Sequence, residues 1–198
     1  MKRMFDIAAS FTGLILLSPV LVIVALAVRL GSGSPVLFRQ QRIGRDFRPF
    51  TIYKFRTMIV DAPSQGGAIT CSSDSRVTRI GAILRTLKVD ELPQLINVLR
   101  GDMSLVGPRP EVPEFVEMFR QDYREILRVR PGITDLASLK YHNEADVLGR
   151  FEDPRKAYVV HILPDKIALA KEYVKRSSLG FDIGLILKTL LRLAHAGG

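Results

Sequence analysis

The stretch IAASFTGLILLSPVLVIVALAV, residues 7–28, decides the fold, because none of its side chains is charged. As a helix, a run of roughly 22 residues reaches about 33 Å, which is enough to cross the hydrocarbon core of a bilayer. A cleaved signal peptide usually has a shorter apolar core followed by a small-residue cleavage motif, and neither feature is clear here. The sequence therefore predicts a membrane-bound segment that is retained.

The middle of this run carries Ser18 and Pro19. Proline removes a backbone hydrogen-bond donor and pushes the residue before it away from helical angles, so a bend is expected. Basic residues flank both ends, Lys2 and Arg3 before the run and Arg29 after it, and such residues favour the cytoplasmic face. A re-entrant helix, break and second helix would satisfy both flanks. A kinked spanning helix stays open as well, because spanning helices tolerate proline.

The composition of the whole chain favours one folded domain with a negatively charged partner. Its 198 residues are 47% hydrophobic and 25% charged, which suffices for a packed core and excludes a disordered chain. Lysine and arginine number 29 against 20 acidic residues, a net charge of +9. A nucleic acid, an anionic membrane or a phosphorylated substrate would suit that charge. The single cysteine, Cys71, excludes an internal disulfide and indicates a reducing compartment for the folded part.

Two extended runs, residues 36–43 and 50–58, are joined by a turn at residues 44–46, which predicts a β-hairpin. Because side chains alternate along a strand, Lys54 and Arg56 should lie on one face of the second run. That face has two interpretations. It is either a cationic binding surface or a solvated strand edge that its charge protects from aggregation.

Apolar residues recur at helical spacing over residues 80–87 and again over residues 92–99, which predicts two packed amphipathic helices. Asp74 or Ser75 is available to cap the first helix, and Gly101 is a good stop for the second. Later patterns predict a turn over residues 130–134 and helices over residues 114–128, 162–176 and 181–193. The last helix is apolar enough to lie in a membrane interface, and packing on the core explains it equally well.

Asp90 and Glu91 lie side by side at the predicted start of the second helix. Helix capping explains them without any function, because Asp is a favoured N-cap residue and Glu in the first turn complements the helix dipole. The functional alternative is that one carboxylate acts as a nucleophile or a Mg²⁺ ligand while cations hold a diphosphate. The cations suited to that role are Lys54, Arg56, Arg85, Arg109 and Arg130. These residues suit phosphoryl transfer, but no local feature decides between the two explanations.

The segment VDELPQLINVLRGDMSLVGPRP, residues 89–110, closely resembles the signature of the bacterial sugar transferase family, the monotopic phosphoglycosyl transferases. Five further segments resemble the same family: KRMFDI, FRQQRIG, IYKFRTM, RIGAILR and VRPGIT. The resemblance covers most of residues 1–134, whereas the later part, with residues 163–166 and Asp182, is less diagnostic. After VRPGIT the chain departs from many members, because Asp135 stands in place of a glycine. This departure concerns the choice of sugar.

The resemblance implies an enzyme that transfers a sugar 1-phosphate from a UDP-sugar to undecaprenyl phosphate, giving undecaprenyl diphosphate-sugar and UMP. By its match to the acidic pair of the family, Asp90 would attack the β-phosphorus and form a covalent phosphosugar-aspartyl intermediate, in a ping-pong sequence. Mg²⁺ would bind at Asp90 and Glu91. Arg109 and Arg85 are the cations expected at the diphosphate. Further candidates for substrate binding, all within matching motifs, are Lys54, Arg56, Arg130 and Thr134.

The resemblance also implies an architecture. Ser18 and Pro19 would form the break of a re-entrant membrane hairpin over residues 1–33, followed by a catalytic domain over residues 34–198. The expected fold class is α+β and mostly helical, with a β-hairpin and amphipathic interfacial helices. The active site would lie at the cytoplasmic face of the bacterial inner membrane, with a UDP-sugar and a lipid phosphate as partners and no nucleic acid. A homodimer is compatible with the sequence.

Two other functions fit the sequence: a membrane-tethered nucleic-acid-binding protein and a non-catalytic membrane scaffold. The first predicts aromatic residues interleaved with basic ones along a groove. Only Phe47, Phe50, Tyr53 and Phe55 approach that pattern. Replacement of Asp90 would separate an enzyme from a scaffold.

Overall fold

A computed structural model describes residues 1–67, 69–72 and 74–196. Its first helix, α1, spans Lys2–Ser32 without interruption, with Pro19 inside it. The hydroxyl of Ser18 donates to the carbonyl of Ile15 at 2.8 Å, so it stays within the helix. The helix, break and helix predicted at this point is therefore a single helix that tolerates its proline. Among the described residues, α1 is the one helix with the length and apolar composition to cross a membrane.

One face of α1 packs on the rest of the protein along its whole length. Asp6 and Ser10 are buried near its start, and Val24 and Val28 are buried near its end. The opposite face leaves large apolar side chains exposed: Phe11, Ile15, Leu16, Val22, Ile23, Leu26 and Leu30. An apolar face of this size on a helix that is already packed on one side suits insertion into lipid.

The predicted β-hairpin is confirmed. Strands β1, Leu37–Ile43, and β2, Pro49–Phe55, pair antiparallel, from Leu37 opposite Phe55 to Ile43 opposite Pro49. The chain reverses through Asp46 and Phe47, whose φ angles of 56° and 60° lie in the left-handed region. The second strand ends at Phe55, earlier than predicted, so Arg56 lies beyond the alternation of the strand.

Three helices come after the hairpin: α2, Ala62–Gln65, α3, Arg79–Thr86, and α4, Gln94–Arg100. The predicted cap of α3 is wrong, because Thr78 caps it and its hydroxyl accepts from the N–H of Gly81 at 3.0 Å. Asp74 instead pairs with Arg76 at 2.7 Å. The stop at Gly101 is confirmed, since its φ of 91° ends α4 in the left-handed region.

A second, parallel pairing lies further along the chain, and the sequence does not predict it. Strand β3, Ser104–Val106, pairs with β4, Gly132–Thr134, although the sequence pattern of residues 130–134 predicts only a turn. Between these strands lie α5, Pro113–Met118, and α6, Arg120–Ile126. The sequence predicts one helix there; the backbone of Phe119, at φ −118° and ψ 34°, separates the two.

The C-terminal part is helical, and its buried residues pack with those of α5 and α6 in one hydrophobic cluster. Its helices are α7, Leu136–Lys140, α8, Glu144–Leu148, α9, Pro154–Ala157, α10, Leu163–Arg176, and α11, Leu179–Ala196. A π-helical turn, Tyr158–Ile162, joins α9 to α10. The inner face of α11 packs through Leu185 on Val106 and Tyr173, while Leu187 and Leu190 stay exposed. The fold is the mostly helical α+β fold that the sequence predicts.

Candidate active site

Asp90 and Glu91 lie in a short 3-10 turn, Val89–Glu91, between α3 and α4. The turn comes after Lys88, whose φ of 56° is left-handed, and Val89 packs against the apolar cluster that α1 forms with β2 and α3. Neither carboxylate caps α4, because that helix begins four residues after Asp90 and receives no side-chain cap from the described residues. Helix capping therefore does not account for the acidic pair.

Glu91 is held by two cations. The guanidinium of Arg109 grips both carboxylate oxygens, with Nη1 at 3.2 Å from Oε2 and Nη2 on Oε1. The ammonium of Lys54 donates to Oε1 at 2.8 Å. Burial alone would raise the pKa of Glu91, but Arg109 and Lys54 hold that pKa well below its usual range. Glu91 is thus a fixed negative charge that orients two cations.

Asp90 differs from Glu91 in its hydrogen bonding and in the direction of its pKa shift. It is buried, with 7% of its surface exposed, and its Oδ1 is enclosed without a hydrogen-bond partner among the described residues; Oδ2 is not enclosed in this way. Burial, and then the negative charge of Glu91, raise the pKa of Asp90 from 3.8 to about 6. Lys54, Lys88 and Arg85 act in the opposite direction. Two adjacent carboxylates therefore have very different proton affinities, a pattern typical of functional sites.

The structure brings some of the predicted cations to the acidic pair. Lys54 and Arg109 contact Glu91. Arg85 donates from Nε to the hydroxyl of Thr57 at 2.8 Å and lies close enough to Asp90 for its pKa to respond to that carboxylate. Arg85, Lys54 and Arg109 thus surround the pair from α3, β2 and the loop after β3.

Three other predicted residues contact different parts of the protein. Arg56 is buried, and its Nη2 donates to the carbonyl of Ser32 at the end of α1, at 2.5 Å. Arg130 donates to the carbonyl of Gly101 at 2.8 Å, and the hydroxyls of Thr134 and Thr189 lie 2.7 Å apart. In the described part of the chain, these three side chains bind other elements around the site rather than Asp90 or Glu91.

Arg109 reaches Glu91 because of the corner that comes after β3. A Cβ on Gly107 would lie 2.4 Å from the carbonyl of Arg130, so only glycine fits this crossing. The carbonyl of Pro108 accepts from the N–H of Gly132 at 3.0 Å. The N–H of Arg109 donates to the carboxylate of Asp135 at 3.2 Å. The parallel pairing of β3 and β4 thereby fixes where the Arg109 side chain begins.

The sequence analysis did not predict a group of charged residues that lies behind Arg109. A cavity of about 20 Å³, large enough for one water molecule, is lined by Arg109, Glu111, Asp135 and Lys166 among others. Glu111 accepts from the hydroxyl of Tyr158 at 2.5 Å, and Lys166 pairs with Glu144 at 2.5 Å. The one sequence feature that points to this group is Glu111, a charged residue that directly follows Pro110, the end of the motif that contains Arg109.

The fit of a Mg²⁺ ion to these residues is partial. Within residues 1–67, 69–72 and 74–196, no three His, Cys, Asp or Glu side chains are grouped to hold a metal. Mg²⁺ at phosphate-transfer sites commonly uses only one or two carboxylates together with substrate phosphates. The unpartnered Oδ1 of Asp90 suits such an ion, whereas both oxygens of Glu91 are occupied by cations. The residues fit the ion through Asp90.

The chain matches the sequence model described as bacterial sugar transferase over residues 1–196. It is 39% identical over 194 residues to the UDP-N-acetylgalactosamine-undecaprenyl-phosphate N-acetylgalactosaminephosphotransferase of Aeromonas hydrophila, covering 96% of this chain and 42% of that protein. It is 38% identical to the UDP-glucose:undecaprenyl-phosphate glucose-1-phosphate transferase of Escherichia coli, covering 97% of this chain and 40% of that one.

A third relative is similar to the chain over nearly all of its own length. This is the exopolysaccharide production protein PSS of Rhizobium leguminosarum bv. phaseoli, which is 39% identical over 96% of this chain and 94% of the relative. The chain therefore spans about two fifths of the length of the first two relatives and nearly all of the third.

Proposed function

Since this chain belongs to the bacterial sugar transferase family, we propose that it transfers a sugar 1-phosphate from a UDP-sugar to undecaprenyl phosphate, releasing UMP. Relatives in Aeromonas hydrophila and Escherichia coli bear the names of such transferases. The observation that carries the proposal is the enclosed, unpartnered carboxylate oxygen of Asp90 beside a Glu91 that two cations hold in place. The product would start the assembly of a bacterial glycan.

In the first step, a carboxylate oxygen of Asp90 attacks the β-phosphorus of the UDP-sugar. A new oxygen–phosphorus bond forms, the bond from that phosphorus to the bridging oxygen breaks, and UMP leaves with the bridging oxygen and its charge. Burial removes the water that would otherwise solvate the carboxylate, and a pKa of about 6 still leaves it mostly ionised above pH 7. Covalent catalysis of this kind divides one difficult transfer into two easier ones.

In the second step, an oxygen of the lipid phosphate attacks the phosphorus of the phosphosugar-aspartyl group. The acyl–phosphate bond breaks, the diphosphate of the lipid-linked product forms, and Asp90 recovers its free carboxylate. The site is ready again without any external acid or base, because both attacking groups are already anions.

The cations make an attack of one anion on another feasible. Lys54 and Arg109 are oriented by Glu91 before the substrate arrives, and such preorganised charges need no rearrangement when charge develops on the phosphate oxygens. Arg85 adds a positive charge on the side of Asp90. A guanidinium can bind a phosphate through two parallel hydrogen bonds, so Arg109 is the best placed residue to share its donors with the diphosphate.

A divalent ion, when bound, would neutralise charge on the diphosphate. Asp90 would hold it through the oxygen that has no partner in the described part of the chain. Glu91 would contribute mainly by holding Lys54 and Arg109, since its two oxygens are already paired.

The membrane arrangement that we propose is monotopic, with both ends of α1 on the cytoplasmic side. It is supported by the contacts of the two ends with the same folded part: Lys2 donates to the carbonyl of Val106 at 3.0 Å, and the carbonyl of Ser32 accepts from Arg56. The middle of α1, with its exposed apolar side chains, would enter the inner leaflet. The active site would then lie beside the headgroups, where a polyprenyl phosphate presents its charge.

A screen of UDP-sugars for UMP release tests the proposal and identifies the donor at the same time. With the best donor, Asp90→Asn should lose UMP release while still partitioning into membranes. Asp61→Asn, at an exposed position, is the matched control and should keep full activity. Incubation with donor but without lipid should add one phosphosugar mass to the peptide that contains Asp90. Unchanged turnover by Asp90→Asn would contradict the assignment of the nucleophile.

A further inference from the structure

The first two turns of α1 are bound to β3 by side chains rather than by apolar packing alone. The carboxylate of Asp6 accepts from the N–H of Leu105 at 3.2 Å and from the hydroxyl of Ser104 at 2.9 Å. Both Asp6 and Ser104 are buried. A membrane helix thus begins with a buried carboxylate that holds the backbone of a strand in the folded domain.

A second set of contacts converges on the end of the same strand. The carbonyl of Val106 accepts from the ammonium of Lys2 and from the hydroxyl of Tyr173, each at 3.0 Å. Asp182 in α11 binds both donors, because it pairs with Lys2 and accepts from Tyr173 at 2.8 Å. Only 1% of Asp182 is exposed. Residues from α1, α10 and α11 therefore meet at one peptide carbonyl.

These contacts matter because Val106 leads directly into the corner that carries Arg109. Gly107, Pro108 and Arg109 are the next residues of the chain, and the Gly107 crossing leaves no room for adjustment. A displacement of the Val106 carbonyl would therefore be transmitted to Arg109, which grips Glu91. Misplacing a catalytic group by about 1 Å can cost on the order of 100-fold in rate.

Arg3, next to Lys2 in the first turn of α1, binds the helix that follows the acidic pair. The guanidinium of Arg3 donates to the carbonyls of Val98 and Leu99 at 2.7 and 3.1 Å, at the end of α4. Asp90 and Glu91 lie just before the start of that helix. The first turn of α1 therefore contacts both β3, which leads to Arg109, and α4, which follows the acidic pair.

The energetics favour a role in positioning over one in stability. Asp182 is buried, whereas 38% of the Lys2 side chain is exposed, so solvent weakens the attraction between the two charges while the carboxylate still loses its hydration. A buried carboxylate in α11 and a lysine at the start of α1 gain little stability by their pairing alone. Their pairing provides a fixed direction for the hydrogen bonds to the Val106 carbonyl.

We propose that Lys2, Asp6, Tyr173 and Asp182, which we call the N-terminal clasp, are positioning residues that set the place of Arg109 through β3. The catalytic part of this inference rests on the function proposed above. Docking of α1 on β3 then also fixes the backbone of residues 107–109. The site is complete only when the first turn of α1 is docked. The motif KRMFDI and the distant Asp182 thereby act together.

The test compares full-length protein in nanodiscs with Lys2→Met, with Asp182→Asn and with both changes. Amide hydrogen exchange of the peptide covering residues 104–110 should accelerate tenfold or more in each single variant, while exchange in α10 stays within twofold. With the donor that wild type uses, kcat for UMP release should fall about tenfold or more with KM changed less than threefold. The kcat of the double variant should be no lower than that of the more impaired single variant, because both residues act on one carbonyl.

Matched controls remove the same charges elsewhere. Arg29→Met removes a cation from the other end of α1, and Asp146→Asn removes an exposed carboxylate; both should leave the 104–110 peptide and kcat unchanged. Lys2→Arg keeps a donor and should recover at least part of the protection.

Exchange in residues 104–110 that stays at the wild-type rate in Lys2→Met and Asp182→Asn would overturn the inference. Accelerated exchange throughout the protein, with normal kcat per folded molecule, would also overturn it, because that result describes a purely stabilising contact. The exchange measurement does not depend on catalysis. If wild type released no UMP from any donor, the proposed function would fail while the positioning of Arg109 could still be decided.

Discussion

At the scale of single residues, the site depends on a division of roles between two adjacent carboxylates. Glu91 has its charge fixed by Arg109 and Lys54, whereas Asp90 has an enclosed oxygen without a partner in the described part of the chain. Burial and the nearby charge of Glu91 raise the pKa of Asp90 to about 6, while the two cations keep that of Glu91 well below its usual range. Of the two, Asp90 is therefore the carboxylate whose pKa lies closer to neutrality, and it is the one that we propose as the nucleophile.

The pH dependence of UMP release should report Asp90. Because the carboxylate must be ionised to attack phosphorus, kcat/KM should rise with pH, reach half of its plateau near pH 6 and be flat above about pH 7. Initial rates in overlapping buffers from pH 5 to 8.5 would measure the profile. Lys140→Gln, at an exposed ion pair away from the acidic pair, should shift neither the midpoint nor the plateau. A profile that is flat down to pH 5 would contradict an unpaired, buried Asp90.

The ionised carboxylate of Asp90 should lower the free energy of unfolding of the protein. The folded-state pKa of Asp90 lies above its usual 3.8, so the folded protein binds the proton more tightly than the unfolded chain does. The stability associated with the protonated form is therefore lost as pH rises through about 4 to 6. Asp90→Asn should raise the free energy of unfolding at pH 7.5 by up to about 3 kcal/mol, since one pKa unit corresponds to about 1.4 kcal/mol.

Thermal unfolding in detergent across pH 4 to 8 would measure that effect. The gain of Asp90→Asn over wild type should shrink towards pH 4, where both side chains are neutral. Asp61→Asn, at an exposed position, should show no such pH-dependent gain. An Asp90→Asn variant that is less stable than wild type at pH 7.5 would mean that the carboxylate has a favourable partner when ionised.

At the scale of elements, the corner between β3 and α5 decides where Arg109 lies. Gly107→Ala should be harmful, because its Cβ would meet the carbonyl of Arg130 at 2.4 Å and backbone atoms cannot move aside. Overpacking of this kind costs about 1–3 kcal/mol, and kcat should fall at least tenfold as Arg109 shifts. Gly184→Ala in α11 is the matched control, since nothing in the described part of the chain lies within 4 Å of its Cβ and alanine favours a helix.

Thermal unfolding and UMP release, measured side by side, would check both variants. A Gly107→Ala protein with normal kcat would show that Arg109 does not depend on this corner. A loss of melting temperature without a loss of kcat per folded molecule would show that the corner serves stability alone.

Local patterns predicted the elements that are specified locally. The β1–β2 hairpin and helices α3 and α4 follow from alternation and helical spacing within short windows, and Gly101 ends α4 as expected. Strands β3 and β4 have three residues each and pair across a long sequence separation, so no periodicity could reveal them. The cap of α3 was misplaced because Asp74 found a nearer partner in Arg76.

The candidate site residues that lie in one sequence motif could be predicted from the sequence. Those that only the folding of distant segments brings together could not. Asp90, Glu91 and Arg109 all lie in one matching segment, and the structure brings them together. Strand alternation could not predict the direction of the Arg56 side chain, because β2 ends at Phe55, the residue before it. The Arg56 side chain instead binds the carbonyl of Ser32. Glu144 and Lys166 reach the region behind Arg109 only through the packing of α8 and α10.

At the scale of the whole molecule, the contacts of α1 decide how the protein meets a bilayer. Its two ends contact the same folded part, at Val106 and at Arg56, while its middle exposes apolar side chains on the opposite face. A straight spanning helix would carry one end about 30 Å away from the folded part, across the hydrocarbon core. In the arrangement that we propose, the net charge of +9 would add attraction to an anionic membrane surface.

Cysteine labelling should therefore find both ends of α1 on one side. In a Cys71→Ser background, Met4→Cys and Leu30→Cys place thiols at exposed positions near the two ends, and Leu16→Cys places one in the exposed middle. A membrane-impermeant maleimide should label positions 4 and 30 in inverted inner-membrane vesicles and neither in spheroplasts, while position 16 should stay protected in both. Labelling of position 4 or position 30 in spheroplasts would establish a spanning helix, and the folded part would then have to release one end of α1 from the contacts that it makes.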